Sequence, residues 1–259
     1  MKQRSVRWGE LRAPELRALA AAEATVVVPV ASIEQHGPHL PTMTDTLLGH
    51  EVACAAAERV AAHKPCIVTE PIWSGLSEHH MRLGATLSLD FTAFRAVVAG
   101  VVRSLHRHGF PRVMLLNSHG GNIAALKTVV EELSREMPDL GLVAGTHWHL
   151  AQDLVAPVLE TQRSVRHACE AETSLVMALR PDLVDEHALA EAYCPDPRDQ
   201  PDFFDDGSYR WQSFADRTPS GAVGDPRAAS AEKGRRLLDL LAGRLAERLV
   251  DPTFWGASA

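Results

Sequence analysis

The sequence has little cysteine, no basic surplus and no long apolar run, and each shortage removes a class of protein. Only four cysteines occur in 259 residues, Cys54, Cys66, Cys169 and Cys194, and none forms a Cys-x-x-Cys pair. That argues against a disulfide framework or a thiolate metal site and predicts reduced thiols in a cytoplasmic protein. No apolar stretch reaches the roughly 18 residues that a membrane span needs. The N-terminal stretch from Met1 to Trp8 is polar, without the apolar core and cleavage site of a secretion signal. Lys and Arg number 26 against 33 Asp and Glu, a formal net charge of -7, so nucleic acid is not an expected partner. The one dense basic cluster, from Arg103 to Arg112, is broken by apolar residues and reads as a solvated helix end. Two phosphate-binding signatures are also missing: there is no GxGxxG and no glycine loop ending in Lys-Ser/Thr.

What remains is an ordinary globular composition, 46% hydrophobic and 23% charged, in a chain long enough for one large domain. Apolar β-branched runs at 25–32, 66–71, 112–117 and 141–147 alternate with segments of helical period at 46–62, 91–108 and 123–135. This alternation predicts an α/β fold with a mainly parallel sheet covered by helices on both faces. Further helices are expected at 170–179, stopped by Arg180-Pro181, and at 230–249, closing the domain. Residues 193–229 lack periodicity, but Phe203, Phe204, Tyr209, Trp211 and Phe214 need burial somewhere. A loop that long with that content is expected to be functional or part of a subunit contact.

Ligands bind at the carboxyl ends of the strands in such sheets, and the chemistry-bearing motifs all fall at predicted strand ends. The first run leads into Glu34-Gln35-His36-Gly37-Pro38-His39 and then Thr44-Asp45. Glu34 and His36 share a face if the chain stays extended, and Asp45 can return from the next element. Carboxylates mixed with imidazoles suit Zn, Mn or Fe in a catalytic site; a merely solvated polar turn is the alternative. The third run leads into Asn117-Ser118-His119-Gly120-Gly121-Asn122, a strand end, glycine turn and helix start. Its glycines and helix N-terminus leave a phosphate cradle as the lesser alternative, since His119 favours metal. The fourth run leads into His147-Trp148-His149, with the two histidines spaced to share a strand face and expected to line a pocket or support the ligands. In His167-Ala168-Cys169-Glu170-Ala171-Glu172, the two glutamates diverge on a helix, so one enters the site and the other serves as a helix N-terminal charge.

Taken together, these residues resemble the creatininase (creatinine amidohydrolase) family. The match runs in order through 29–45, 75–89, 117–122, 167–174 and Ser220-Gly221-Ala222-Val223-Gly224-Asp225-Pro226, most of the chain. The resemblance implies a single-domain three-layer αβα sandwich, two divalent metal ions per chain (Zn, Mn or Fe) and a homo-hexamer acting on a small-molecule amide. Carried over by position, Asp45 bridges the metals, with Glu34 and His119 on one and His36 on the other. Creatininase supplies its last carboxylate two residues after the histidine matching His119, where this chain has Gly121. The resemblance to relatives reading His-Gly-Gly-Asn assigns that ligand to Glu172 instead, and the departure argues against creatinine as substrate. The expected reaction is hydrolysis of a C–N bond by a metal-activated water. His167 is the candidate acid for the leaving nitrogen, with Glu170 second. His80, Trp148, Gly120, Gly121 and Asn122 are expected to contact substrate, and His79 and His80 to line the pocket or a subunit contact. The alternatives are a peptidase of the mycofactocin-precursor type, a relative acting on a formamidopyrimidine or sugar-derived ring, a glycine-loop phosphate binder, and a metal-binding scaffold without turnover.

Overall fold

The computed structural model describes residues 3–195 and 210–256. Among these, four strands, β1 (Thr25–Val30), β2 (Cys66–Val68), β3 (Arg112–Asn117) and β4 (Gly141–Thr146), form one parallel sheet in the order β2-β1-β3-β4. The helices are α1 (Ala13–Ala21), α2 (Thr44–Ala61), α3 (Phe91–Arg107), α4 (Ile123–Glu136), α5 (His147–Leu150), α6 (Gln152–Val155), α7 (Glu170–Leu179), α8 (Leu189–Ala192) and α9 (Ala231–Val250).

Period-two alternation along the strands builds the three layers. Val27, Val68, Met114 and Leu116 pack against α2, α7 and α9, through Val52, Leu175 and Leu241 among others. Val26, Val28, Ile67, Val113 and Leu115 face the other way, onto Phe94, Val98 and Val102 of α3 and Leu126 and Val129 of α4. With both faces covered, each strand reads as an apolar run. Side-chain caps set two helix starts: Asp90 accepts from the Ala93 N–H at 2.8 Å, and Ser230 from the Lys233 N–H at 3.2 Å.

β1 and β2 end earlier than their apolar runs. Pairing between them covers Thr25 to Val27. Pro29, which has no N–H to give a ladder, lies beyond that pairing, and its carbonyl accepts from Ile72 N at 2.9 Å. The fourth run differs more. β4 stops at Thr146 and His147 opens α5, so His147 and His149 do not share a strand face; His147 is buried and His149 exposed. An apolar run cannot by itself distinguish a last strand residue from a first helical one.

Val30 of β1 pairs with Asn117 of β3, which pairs with Thr146 of β4. The three strand ends are therefore level, and the segments leaving them meet over one edge of the sheet. No helix of the described residues is long and apolar enough to cross a membrane.

Candidate metal centre and active site

Each motif residue reaches the site by a different route. Glu34 and His36 sit in the loop after β1, Asp45 in the first turn of α2, His119 just after β3, and Glu172 in the first turn of α7. All five are buried. Burying three carboxylates is costly unless positive charge accompanies them.

The hydrogen bonds decide where each imidazole keeps its lone pair. His36 Nδ1 lies 3.1 Å from the main-chain oxygen of Glu34, an atom that can only accept, so Nδ1 carries the proton. Its Nε2 has no hydrogen-bond partner and lies 3.4 Å from Asp45 Oδ1. His119 Nε2 lies 3.1 Å from the carbonyl of Leu76, which again fixes the N–H on that nitrogen. Its bare Nδ1 faces Glu34 Oε2 at 3.1 Å and Asp45 Oδ2 at 3.2 Å. Bare nitrogens repel carboxylate oxygens unless a cation lies between them. Donor atoms around a tetrahedral metal with bonds of ~2.1 Å are ~3.4 Å apart, close to the spacings here. Asp45 turns one oxygen to each imidazole.

Electrostatics agree. Burial works against a charged His36, yet Asp45, Glu172 and Glu34 hold its pKa up at about 9. Burial likewise opposes charge on His119, and Glu34 and Asp45 raise it well above the usual range. Burial also pushes the Glu172 carboxyl up, the Asp45 charge adding to it. The site favours positive charge, and in the absence of metal protons supply it. Groups able to hold a cation within this cluster are Glu34–His36–Asp45, Glu34–His79–His119, Glu34–His80–His167 and His36–His167–Glu172.

Supporting contacts fix the carboxylates. Ser77 Oγ donates to Glu34 Oε2 at 2.7 Å and itself lies 2.5 Å from Ser32 Oγ. Glu172 Oε2 accepts from the Ala168 N–H at 2.5 Å, and Ala168 adopts φ 50, a left-handed conformation costly for alanine. His167 Nε2 donates to the Gln35 carbonyl at 2.8 Å, which leaves Nδ1 facing Glu34 Oε1 at 3.6 Å. Burial and the neighbouring His36 charge hold His167 well below the usual histidine range, so it is neutral. Around this floor the pocket is lined by His79, His80, Gly120, Gly121, Trp148, His149 and Phe214, with Arg163, Arg166 and Arg217 on its walls.

Three expected roles need correction. Glu170 is fully buried but turned away: its carboxylate accepts from Glu160 N at 2.9 Å, Thr161 Oγ1 at 2.6 Å and Lys233 Nζ. It holds α7 to α9 and the 160–161 turn and is not placed to protonate a leaving group. The Asn122 side chain is also structural, accepting from Leu76 N at 2.9 Å and donating to Ala31 O at 3.1 Å. His147 is buried with both ring nitrogens unpartnered and does not line the pocket.

Sequence reasoning missed Ser77, Gln35 and the docking of Phe214. The ring of Phe214 packs 4.4 Å from that of His80 and 4.9 Å from that of His167, so part of the aperiodic 193–229 segment closes over the site. Trp211 is exposed, and Phe203, Phe204 and Tyr209 lie outside the described residues.

The chain is similar to known proteins along most of its length. The family model described as creatininase, creatinine amidohydrolase, matches residues 9–249. The mycofactocin precursor peptide peptidase of Mycobacterium tuberculosis (strain CDC 1551 / Oshkosh) is 31% identical over 88% of this chain and 86% of that protein. The creatinine amidohydrolase of Pseudomonas putida is 29% identical over 95% of this chain and 96% of its own. A structure described as creatininase Mn superposes with a TM-score of 0.80 at 27% identity, covering 95% of this chain and 98% of that one. A mutant creatininase of Zn-Zn type gives 0.79 at 28% identity, with coverage of 95% and 98%.

Proposed function

The chain belongs to the creatininase family, and from that premise we propose that it is a metal-dependent hydrolase of an amide C–N bond, with a substrate other than creatinine. One observation carries the reading: His36 and His119 each give their N–H to a main-chain carbonyl and turn a bare nitrogen onto opposite oxygens of Asp45. In this reading Glu34, Asp45 and His119 would hold one divalent ion, and His36, Asp45 and Glu172 a second, each Zn, Mn or Fe. Such ions make water nucleophilic at neutral pH and polarise a carbonyl.

The remaining steps belong to the side chains. Neutral His167 offers Nδ1 to the proton of the attacking water and then returns it to the departing amide nitrogen, a poor leaving group until protonated. His80, Trp148, Gly120 and Gly121 contact the substrate, and Phe214 excludes water from one side. Gly121 stands where creatininase has its carboxylate, and a Cβ there would run into the Leu76 carbonyl and the His119 ring. That position cannot supply the missing ligand without moving its neighbours, which supports Glu172 in the role. A peptide bond is the second reading, favoured by the likeness to the M. tuberculosis peptidase. A phosphate ligand on the glycine turn is disfavoured by the Glu34 and Asp45 carboxylates against its His119. Four free cysteines fit a reducing, cytoplasmic setting, and family resemblance supports a homo-hexamer.

The test is a panel of creatinine, other cyclic amides, N-acyl amino acids and peptides, incubated with Zn- or Mn-loaded protein and read by mass spectrometry. Metal-dependent cleavage of a non-creatinine amide is expected. Creatinine turned over in preference to all others would overturn the substrate reading.

A further inference from the structure

Gln35 lies between two proposed ligands yet has no part in the chemistry just described. Its side chain is buried at 7% exposure, and its orientation is fixed by two main-chain partners. Oε1 accepts from the Gly37 N–H at 3.0 Å, and Nε2 donates to the Gly221 carbonyl at 3.0 Å. A backbone N–H can only donate and a carbonyl only accept, so the amide cannot be flipped. Gly221 is required for this contact: at φ 80 it brings its carbonyl against the amide, and a Cβ there would collide with Gln35 Oε1.

One amide hydrogen remains. Nε2 lies 2.7 Å from His80 Nδ1 and 3.2 Å from His167 Nε2. The latter is already an N–H, because it donates to the Gln35 carbonyl at 2.8 Å, and so cannot accept. The second hydrogen therefore goes to His80 Nδ1, which must be bare. A neutral imidazole with a bare Nδ1 carries its proton on Nε2, and His80 Nε2 faces Glu34 Oε1 at 3.4 Å.

We infer that Gln35 is a positioning residue that sets the tautomers of two site histidines at once, His80 through its side-chain amide and His167 through its main-chain carbonyl. Both become Nε2–H. The consequences differ because the rings face the site in opposite senses. His80 turns its N–H side toward the Glu34 carboxylate 3.4 Å away and is thereby not a metal ligand, although its distance alone would allow ligation. His167 presents a bare nitrogen, the form that can take a proton. An imidazole fixed by a partner on its other nitrogen is a general device for orienting such groups. The catalytic meaning of the His167 tautomer rests on the hydrolase reading above; the tautomers themselves do not.

The test is a long-range 1H–15N spectrum of 15N-histidine-labelled, zinc-loaded protein, with His80 and His167 assigned from His80→Gln and His167→Gln. Both rings are expected as Nε2–H in the wild type. In Gln35→Glu, which cannot donate, His80 is expected to gain a proton on Nδ1, while His167 keeps its pattern because the main-chain carbonyl remains. Wild-type His80 protonated on Nδ1, or bound to zinc through Nε2, would overturn the inference even if the variant failed to fold. A His80 pattern unchanged in Gln35→Glu would also overturn it. Both rings as Nε2–H with no hydrolysis across the amide panel would leave the tautomer assignment standing and defeat only the hydrolase reading.

Discussion

His167 and Glu170 stand three positions apart and illustrate how much one residue's surroundings decide. A neutral His167 with Nδ1 aimed at the carboxylate cluster predicts that His167→Ala lowers kcat by roughly 100- to 10,000-fold, with metal content unchanged by elemental analysis. Glu170 acts on stability instead. Burial alone would raise its pKa, but Lys233 and Thr161 hold it below the usual carboxylate range. A depressed folded-state pKa contributes stability above the unfolded value, near ~4.3, that is lost as pH falls through the folded one. Lys233, raised by the same pair against its own burial, loses its share only above ~10.4. The pair's contribution is therefore flat across neutral pH, and Glu170→Ala, which leaves Lys233 with only Glu160 and the Ala228 carbonyl and the 160–161 turn without its acceptor, is expected to cost about 1–3 kcal/mol in urea unfolding at pH 7. A metal-free His36 held at about 9 must give up its proton on binding a cation, so metal affinity measured by titration is expected to rise from pH 6 to pH 8. At this scale the titratable ligands were legible, because carboxylates and imidazoles announce themselves. Gln35 and Ser77 were not: an amide and a hydroxyl have no spacing signature, and their roles exist only once 35, 80, 167 and 221 are folded together.

Elements decide which of those residues meet. The strands, and helices α2, α3, α4, α7 and α9, were readable from periodicity because each buries a face or both faces of an apolar run. The nine-residue α1 was not assigned, nor were the single turns α5, α6 and α8, since four residues carry too little pattern to reveal a period. That is why His147 and His149 were placed on a strand, although His149 and Trp148 reached the pocket as expected and only His147 did not. The β3–α4 connection shows a constraint invisible in sequence. His-Gly-Gly-Asn reads as a flexible turn or a phosphate cradle, but Gly121 is pinned against the Leu76 carbonyl and the rings of His79 and His119. Gly121→Glu, which writes the creatininase carboxylate into this chain, is therefore expected to destabilise the fold by about 1–3 kcal/mol and to displace His119, seen as a lower melting temperature and lower metal content. A variant that melted like wild type and replaced Glu172 as ligand would show that the turn can yield.

The whole molecule places one densely ionisable cluster at the level ends of three parallel strands and covers both sheet faces with helices. Its single-domain α/β form followed from the alternation of apolar and amphipathic segments, whereas the closing of Phe214 over the site did not, because residues 193–229 have no period to read. The segment from Trp73 to Phe91 exposes Trp73, Met81, Leu87 and Phe91, a surface suited to burial between copies in the proposed hexamer. Trp73→Asp is expected to shift the protein to smaller species in light scattering while its circular dichroism stays native. The central claim, that Asp45 joins two ions with Glu172 completing the second, is tested most directly by counting metal atoms per chain in metal-replete wild type and in Glu172→Ala. Two falling to one is the predicted result; two in both, or none in the wild type, would contradict it.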